Sequence, residues 1–255
     1  MPVSLKSPAE VDAMRRAGRV VAEVLALVES ELKPGVSTAH LDALAEAHIR
    51  RSGAEPSFKG YPGANPRRPF PASICISIDS EIVHGIPGER TIRSGQVVSI
   101  DAGAIVEGWH GDAARTFFVG EPPEPIRELI ETTRLAMMAG IAAAQPGNHI
   151  GDIGAAVEDI ARPNGYGVIR QFVGHGIGRA MHEDPQVPNY RTAHAGRRIE
   201  PGLCLAIEPM FTLGGYEAMM LPDDWTIVTR DGSLAAHFEH SIAITATGPE
   251  ILTTI

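Results

Sequence analysis

Four carboxylates and one histidine in the C-terminal two-thirds of the chain have the residue types and spacing that could support chemistry. Each lies in a short segment typical of a strand edge or a glycine-lined turn, where a side chain can point into a site. Carboxylates packed together repel one another and take up protons unless cations hold them. Two divalent metals that share bridging carboxylates resolve that conflict and can activate water. The sequence therefore predicts a dinuclear metallohydrolase site made of Asp101, Asp112, His175, Glu208 and Glu239.

The two aspartates fit a hairpin. Residues 97–101 form a buried-strand pattern that ends in a carboxylate, and ten residues separate Asp101 from Asp112. A connection of that length can place both side by side on neighbouring antiparallel strands. Two surface turn aspartates are the alternative, but the residues before Asp101 are almost all apolar, which argues against it.

His175 and the two glutamates have different surroundings. Glycine on both sides of His175 would let the backbone turn tightly and the imidazole reach a metal. The glycine spacing around it is not that of a dinucleotide-binding loop. Glu208 and Glu239 are lone carboxylates in apolar strands, and burying either without a partner would cost several kcal/mol. A salt bridge is the alternative to a metal, although few arginines lie nearby in sequence.

The remaining histidines divide into three groups. His84 and His182 could each be a satisfied structural histidine from their local sequence. His240, beside Glu239, is a weaker candidate: it could contact a metal ligand without itself binding the metal. The others lie in polar surroundings or on predicted helix faces and receive no role: His40, His48, His110, His149, His194 and His237.

Composition limits the classes of protein that the chain can represent. Its 255 residues are 44% hydrophobic, enough to bury a substantial core in one large domain or two fused halves. The net charge of −9 argues against a nucleic-acid or polybasic membrane surface. Cys75 and Cys204 do not form a disulfide framework, which fits a reducing compartment. Because no signal segment or apolar run of about 18 residues occurs, we expect a soluble, cytoplasmic protein.

The elements that must position these residues follow from caps, breakers and periodicity. Ser7 and Pro8 begin a helix that continues to Pro34, and three further helices are predicted at about 40–51, from 122–125 to 145, and at 150–161. Strands are predicted at 73–78, 97–102, 114–119, 203–210, 226–228 and 235–247. This order predicts two similar α+β halves around a continuous sheet. With no linker between them, residues 1–255 are predicted to form a single domain.

Several motifs, in order and over nearly the whole chain, resemble those of type I methionine aminopeptidases. They lie at residues 81–87, 99–102, 110–116, 174–179, 182–187, 206–210 and 238–241. The resemblance implies the pita-bread fold, a pseudo-two-fold α/β arrangement in which helices cover a curved antiparallel sheet. It also implies two divalent metal ions, of Co, Mn, Fe, Zn or Ni.

The resemblance assigns a role to each metal-site residue. Asp101 and Asp112 would be ligands, with Asp112 bridging the two ions, and Glu239 would bridge as well. His175 would bind one metal. Glu208 would be both a ligand and the group that passes a proton from water to the leaving amine.

The resemblance also implies a substrate site. His84 and His182 match the histidines that contact substrate near the scissile peptide, with His182 placed to hydrogen-bond the developing oxyanion. Two residues depart from the frequent pattern: Met181 stands where an aromatic residue is common, and Phe58 where cysteine is common. Residues 62–69 look like an insertion beside the pocket. The expected methionine pocket is Tyr61, Phe70, Cys75, Met181 and Trp225.

The function that the resemblance implies is hydrolytic removal of the initiator methionine from nascent proteins and peptides whose second residue is small. The protein would be a monomer that contacts the ribosome only transiently. An Xaa-Pro aminopeptidase or prolidase on the same fold is the nearest alternative. A non-catalytic binding module on this scaffold is another, although such modules typically lose metal ligands and all five are present here.

Overall fold

The computed structural model describes residues 3–63 and 65–255, and within them the chain forms four α-helices. They are α1 (Pro8–Glu31), α2 (Thr38–Arg51), α3 (Glu124–Ala143) and α4 (Ile150–Ala161), followed by a short 3-10 helix at Arg162–Asn164. All four predicted helices are confirmed, including the start of α1, where the Ser7 N–H donates to the Glu10 carboxylate at 2.8 Å. None of these described helices is long and apolar enough to cross a membrane.

The described residues also form fifteen strands. They are β1 (Glu55–Pro56), β2 (Ile74–Ile78), β3 (Glu81–Val83), β4 (Val97–Val106), β5 (Trp109–Phe118), β6 (Gly167–Val168), β7 (Gly174–Gly176), β8 (Glu183–Val187), β9 (Cys204–Ile207), β10 (Met210–Thr212), β11 (Ala218–Met220), β12 (Ile227–Thr229), β13 (Ala235–His237), β14 (Glu239–Thr245) and β15 (Gly248–Ile251). Most predicted strands are present, but several have different ends.

Two of these differences shape the site. The predicted strands 97–102 and 114–119 extend toward each other into one long hairpin, β4–β5, whose pairing continues to Val106 and Trp109. The predicted strand 203–210 divides into β9 and β10 at Pro209, which has no N–H to donate to a ladder. The predicted strand 235–247 likewise divides, at Phe238, into β13 and β14.

Most of the described strands belong to one antiparallel sheet that draws on both halves of the chain. Its order is β1-β4-β5-β14-β9-β7-β8, with β2 paired to β4 and β15 paired to β14. The two central neighbours, β5 and β14, come from opposite halves, so the predicted continuous sheet is confirmed. Two three-stranded sheets, β13-β10-β6 and β11-β12-β3, flank it. The assignment of residues 1–255 to a single domain stays a prediction.

The helices cover one face of this sheet and leave the other face for the site. Ile100 of β4 packs in one core with α1 and α2, and Ile242 of β14 packs in a second core with α3 and α4. Side chains alternate between the two faces of a strand. Consequently Asp101, Glu239 and Ser241 lie on the face away from the helices. The alternation therefore assigns the apolar residues to the core and the carboxylates to the opposite side.

Candidate metal centre

A row of residues runs across four strands on the face away from the helices. Asp101 of β4 pairs with Cys75 of β2 on one side and with Ala114 of β5 on the other. Ala114 in turn pairs with Glu239 of β14. Directly opposed residues share a face, so the small Ala114 side chain lies between two carboxylates and leaves open space between them.

Asp112 lies on the same face, two residues along β5 from Ala114. The hairpin prediction is therefore correct, but Asp112 pairs with Gly103, so the two aspartates lie diagonally and not directly opposite each other. The backbone of Asp112 is held by Ser241, whose hydroxyl accepts from the Asp112 N–H at 3.0 Å and donates to the Asp112 carbonyl at 2.8 Å. Ser241 thus replaces the ladder bonds where β14 diverges from β5.

His175 and Glu208 enter from the other half of the sheet. His175 of β7 pairs with Ala206 of β9, and Glu208 follows Ala206 by two residues. The His175 Nε2 atom lies 3.5 Å from Glu208 Oε1 and 4.0 Å from Asp112 Oδ2. Ligand atoms of Asp112, His175 and Glu239 all lie within 4.8 Å of one another. All five predicted metal ligands, Asp101 and Glu208 included, line the same cavity.

The glycines on either side of His175 have a different structural role from the predicted one. The sequence prediction was a tight turn, but Gly174 and Gly176 lie in β7 and neither has a positive φ. A Cβ on Gly174 would lie 2.4 Å from the Ala206 carbonyl oxygen, and one on Gly176 would lie 2.3 Å from that of Asp184. The glycines therefore allow the backbones to approach closely, which places the imidazole near the carboxylates.

Hydrogen bonding and burial prepare His175 to act as a ligand. Its Nδ1–H donates to the Gly176 carbonyl at 2.8 Å, which leaves Nε2 free to face the carboxylates. Burial, and to a lesser extent the nearby His182, lowers the pKa of His175 to about 3. The imidazole is therefore neutral, which is the form that binds metals.

The buried carboxyl groups repel one another when they are ionised, and a bound cation would offset that repulsion. Burial raises the pKa of Asp101 to about 7. Burial and then the charges of neighbouring carboxylates raise the pKa values of Asp112, Glu208 and Glu239 well above the ordinary range. Asp101 Oδ1, Asp112 Oδ1 and Glu239 Oε1 are buried without hydrogen-bond partners among the described residues. Hard oxygen donors with one imidazole suit a divalent metal, so the residues fit such an ion.

An apolar pocket adjoins the carboxylates and shares their cavity. Its lining includes all five predicted pocket residues together with Phe58, and the cavity has a volume of about 110 Å³. This volume includes the carboxylate side of the cavity and is of the same order as the ~150 Å³ apolar cavities that admit benzene, so the cavity has room for an apolar side chain. The predicted pocket residues are Tyr61, Phe70, Cys75, Met181 and Trp225.

The two predicted substrate histidines line the cavity that the pocket and the carboxylates share. His84 has a φ of 60°, an uncommon conformation for a residue with a side chain, and such strain concentrates at functional sites. Its ring packs edge-on against Phe172 at 5.6 Å and Trp225 at 6.1 Å. The ring of His182 lies 4.3 Å from that of His175, and its Nδ1 is 2.6 Å from the Tyr61 hydroxyl.

Several histidines at or near the site lie in surroundings that differ from those predicted from the sequence. His237 was assigned no role, yet it is 1% exposed and its Nε2 lies 3.8 Å from Glu208 Oε2. Its separation of two residues from Glu239 was the available signal. His110 was also assigned no role, but it is buried in β5 and bonds to the Ser57 hydroxyl at 3.0 Å. His240 bonds to Thr253 at 2.7 Å and, by strand alternation, lies on the opposite face from Glu239.

The fold and this ligand cluster together define a metallopeptidase. The chain belongs to metallopeptidase family M24, whose sequence pattern matches residues 12–246. Family membership and the cluster of ligand atoms both support the use of a divalent metal. The family assignment is consistent with the free Nε2 of His175 and the unpartnered carboxylate oxygens.

Individual relatives make the likeness more specific. A protein named methionine aminopeptidase from Clostridium acetobutylicum is 48% identical over 252 residues, which are 98% of each chain. The crystal structure of methionine aminopeptidase from Thermotoga maritima has a TM-score of 0.95 and 39% identity, and covers 99% of this chain and 100% of that one. The predicted resemblance to methionine aminopeptidases is therefore confirmed.

A more distant likeness concerns the fold alone. Prolidase from Pyrococcus furiosus has a TM-score of 0.78 and 24% identity, and covers 98% of this chain but 65% of that one. Together with the Thermotoga structure, it confirms the predicted pita-bread fold, in which helices cover a curved antiparallel sheet.

Metal binding is expected to stabilise the protein, because cations offset the repulsion among the buried carboxylates. At a metal concentration of about 100 Kd the free energy of unfolding should rise by about 2.7 kcal/mol, which corresponds to roughly 5–10 °C in Tm. The measurement is thermal unfolding of chelator-stripped protein with and without added Mn²⁺. Glu239→Gln should lose most of this shift, whereas Glu55→Gln, at an exposed glutamate on β1, should keep it. An equal shift in both variants would contradict the site.

Proposed function

We propose that the protein hydrolyses the bond after an N-terminal methionine in peptides and nascent proteins. The observation that carries the proposal is the shared cavity, in which the apolar pocket meets the carboxylate and histidine cluster. A methionine side chain placed in the pocket would bring its own carbonyl group next to the candidate ligands. The names and identities of the relatives support the same activity.

We assign two divalent ions to the cluster, of Co, Mn, Fe, Zn or Ni. Asp101, Asp112, His175, Glu208 and Glu239 would hold them, with Asp112 and Glu239 shared between the ions. Asp112 suits that role because it lies against the carboxyl groups of both Asp101 and Glu239, and the resemblance implies the same role for Glu239. When bound, such ions lower the pKa of water and polarise a carbonyl group.

Glu208 is the proposed acid–base residue. It follows β9 directly and precedes Pro209, and its side chain lines the cavity. Oε1 lies near His175 and Oε2 near His237, at 3.5 Å and 3.8 Å. From this position it can accept a proton from the attacking water and deliver it to the leaving amine.

His182 is the proposed donor to the oxyanion. The Tyr61 hydroxyl lies 2.6 Å from Nδ1, and in the tautomer in which this hydroxyl donates to Nδ1 the hydrogen of the neutral ring resides on Nε2. Nε2–H can then donate to the carbonyl oxygen as negative charge develops on it. His84, held by Phe172 and Trp225, would contact the peptide group on the other side of the scissile bond.

The wider setting follows from this substrate class. Substrates are nascent polypeptides and peptides with a small second residue, the compartment is the cytoplasm, and contact with the ribosome is transient. The protein acts as a monomer.

The Xaa-Pro alternative is not favoured, because a pocket lined by Phe58, Phe70 and Trp225 suits a long apolar side chain and the prolidase likeness is one of fold. A non-catalytic module is not favoured either, because all five candidate ligands converge.

The proposed substrate preference is tested by peptide hydrolysis. Chelator-stripped protein with Mn²⁺ or Co²⁺ restored should release free methionine from a Met-Ala peptide and leave an Ala-Pro peptide intact. Amino-acid analysis of both reactions provides the measurement, with stripped protein as the control. Cleavage of Ala-Pro alone would assign the protein to the prolidase activity, and inactivity toward both peptides with metal bound would refute methionine removal.

The proton role of Glu208 is tested by Glu208→Gln. The amide keeps the shape of the side chain but cannot take up the proton, so kcat should fall about 10²–10⁴-fold with little change in KM. Metal content must be measured in the same preparation, because Glu208 is also a proposed ligand. Glu55→Gln is the matched control and should keep wild-type kcat. Full turnover by metal-loaded Glu208→Gln would remove the assigned role.

A further inference from the structure

The loop at residues 62–69 connects Tyr61 and Phe70, whose backbones are hydrogen-bonded to each other. The Phe70 N–H donates to the Tyr61 carbonyl at 3.0 Å, and the Gly60 N–H donates to the Phe70 carbonyl at 2.8 Å. The residues that flank the loop are therefore already paired, and a two-residue turn could join them. The length of the loop is not needed to connect the elements on either side. Its described residues, 62, 63 and 65–69, are called the brace below.

The brace is bonded to the turn that carries Trp225. The Trp225 indole N–H donates to the Arg68 carbonyl at 2.8 Å. The Asn65 side-chain amide donates to Asp224 Oδ2 at 3.0 Å, and the Arg68 guanidinium lies 3.3 Å from the same oxygen. The guanidinium also donates to the Pro222 carbonyl at 3.4 Å. Backbone and side-chain contacts thus converge on the turn that ends in Trp225.

The brace also covers the ring of Trp225. A Cβ placed on Gly63 would lie 2.6 Å from the nearest carbon of the indole six-membered ring, so backbone packs directly on it. The indole packs edge-on against Phe70 at 5.1 Å and His84 at 6.1 Å. Trp225 is therefore held between the brace and two other residues that line the cavity.

We propose that the brace is a specificity determinant, because it fixes Trp225 and so limits how far the pocket can widen. This inference rests on the proposed function. A pocket discriminates against the wrong side chain only if its lining residues do not move to accommodate it. A single methylene changes kcat/KM in an apolar pocket by roughly 10–200-fold. If Trp225 were free to move outward, the pocket would discriminate less against larger or branched side chains.

The main test replaces residues 62–69 with an Asn-Gly turn and compares kcat/KM for Met-Ala, Leu-Ala and Phe-Ala peptides. The shortened protein should keep activity on Met-Ala, while its preference for methionine over leucine and phenylalanine should fall about 10-fold or more. A preference equal to that of the wild type would overturn the proposal. Failure of the wild type itself to release methionine would refute the proposed function instead, so the two failures are distinguishable.

A pair of point variants provides a second, independent test. Arg68→Ala removes the contacts with Asp224 and Pro222, whereas Arg67→Ala removes the same charge from an exposed neighbour in the same loop. Arg68→Ala should lower the preference for methionine several-fold, and Arg67→Ala should leave it unchanged. If the shortened protein does not fold, this pair decides the question. Equal preference in the two variants would overturn the proposal.

Fluorescence provides a readout that does not depend on turnover. The chain has two tryptophans, so in a Trp109→Phe background the emission comes from Trp225. Acrylamide should quench Trp225 more strongly in Arg68→Ala than in Arg67→Ala, because the indole is held less firmly. Identical quenching would show that the brace does not restrain Trp225 and would contradict the inference.

Discussion

Mutual repulsion among buried carboxylates is the interaction on which the rest of this structure depends. Asp112 lies against the carboxyl groups of both Asp101 and Glu239, and three oxygens of this set have no hydrogen-bond partner among the described residues. A sheet that placed them together only for stability would do better with apolar residues. The arrangement makes physical sense when cations occupy the space between the carboxylates, and the family assignment agrees with that interpretation.

The alternation of side chains along antiparallel strands makes such a cluster compatible with a stable fold. On β4 and β14 one face packs in the helix-covered cores and the other carries the site. The small residue Ala114 occupies the position between Asp101 and Glu239 and leaves open space there. The same row of paired residues includes Cys75, so the apolar pocket begins directly beside Asp101. Substrate binding and chemistry are thus adjacent because neighbouring strands carry them.

The parts of the site that were predictable are those with a local signal. Asp101 and Glu208 interrupt apolar runs, and the start of α1 follows from its capping box. Ser241 was missed because its hydrogen bonds with Asp112 form across the sheet, and no local pattern encodes them. For His237 the local signal is its spacing of two residues from Glu239, but its contact with Glu208 depends on the tertiary fold. The purpose of the glycines beside His175 was mistaken for the same reason. The loop at 62–69 was recognised as unusual, but its contacts with Trp225 depend on the tertiary fold.

The most direct test of this account is a crystal structure of the Mn²⁺-loaded protein with anomalous data collected near the manganese absorption edge. Two anomalous peaks are expected within bonding distance of the five candidate ligands, with Asp112 and Glu239 contacting both. A carboxylate cluster without any peak, or manganese bound only elsewhere on the molecule, would contradict the claim that cations balance the buried charge. A single peak would preserve the metal site and refute the assignment of two ions.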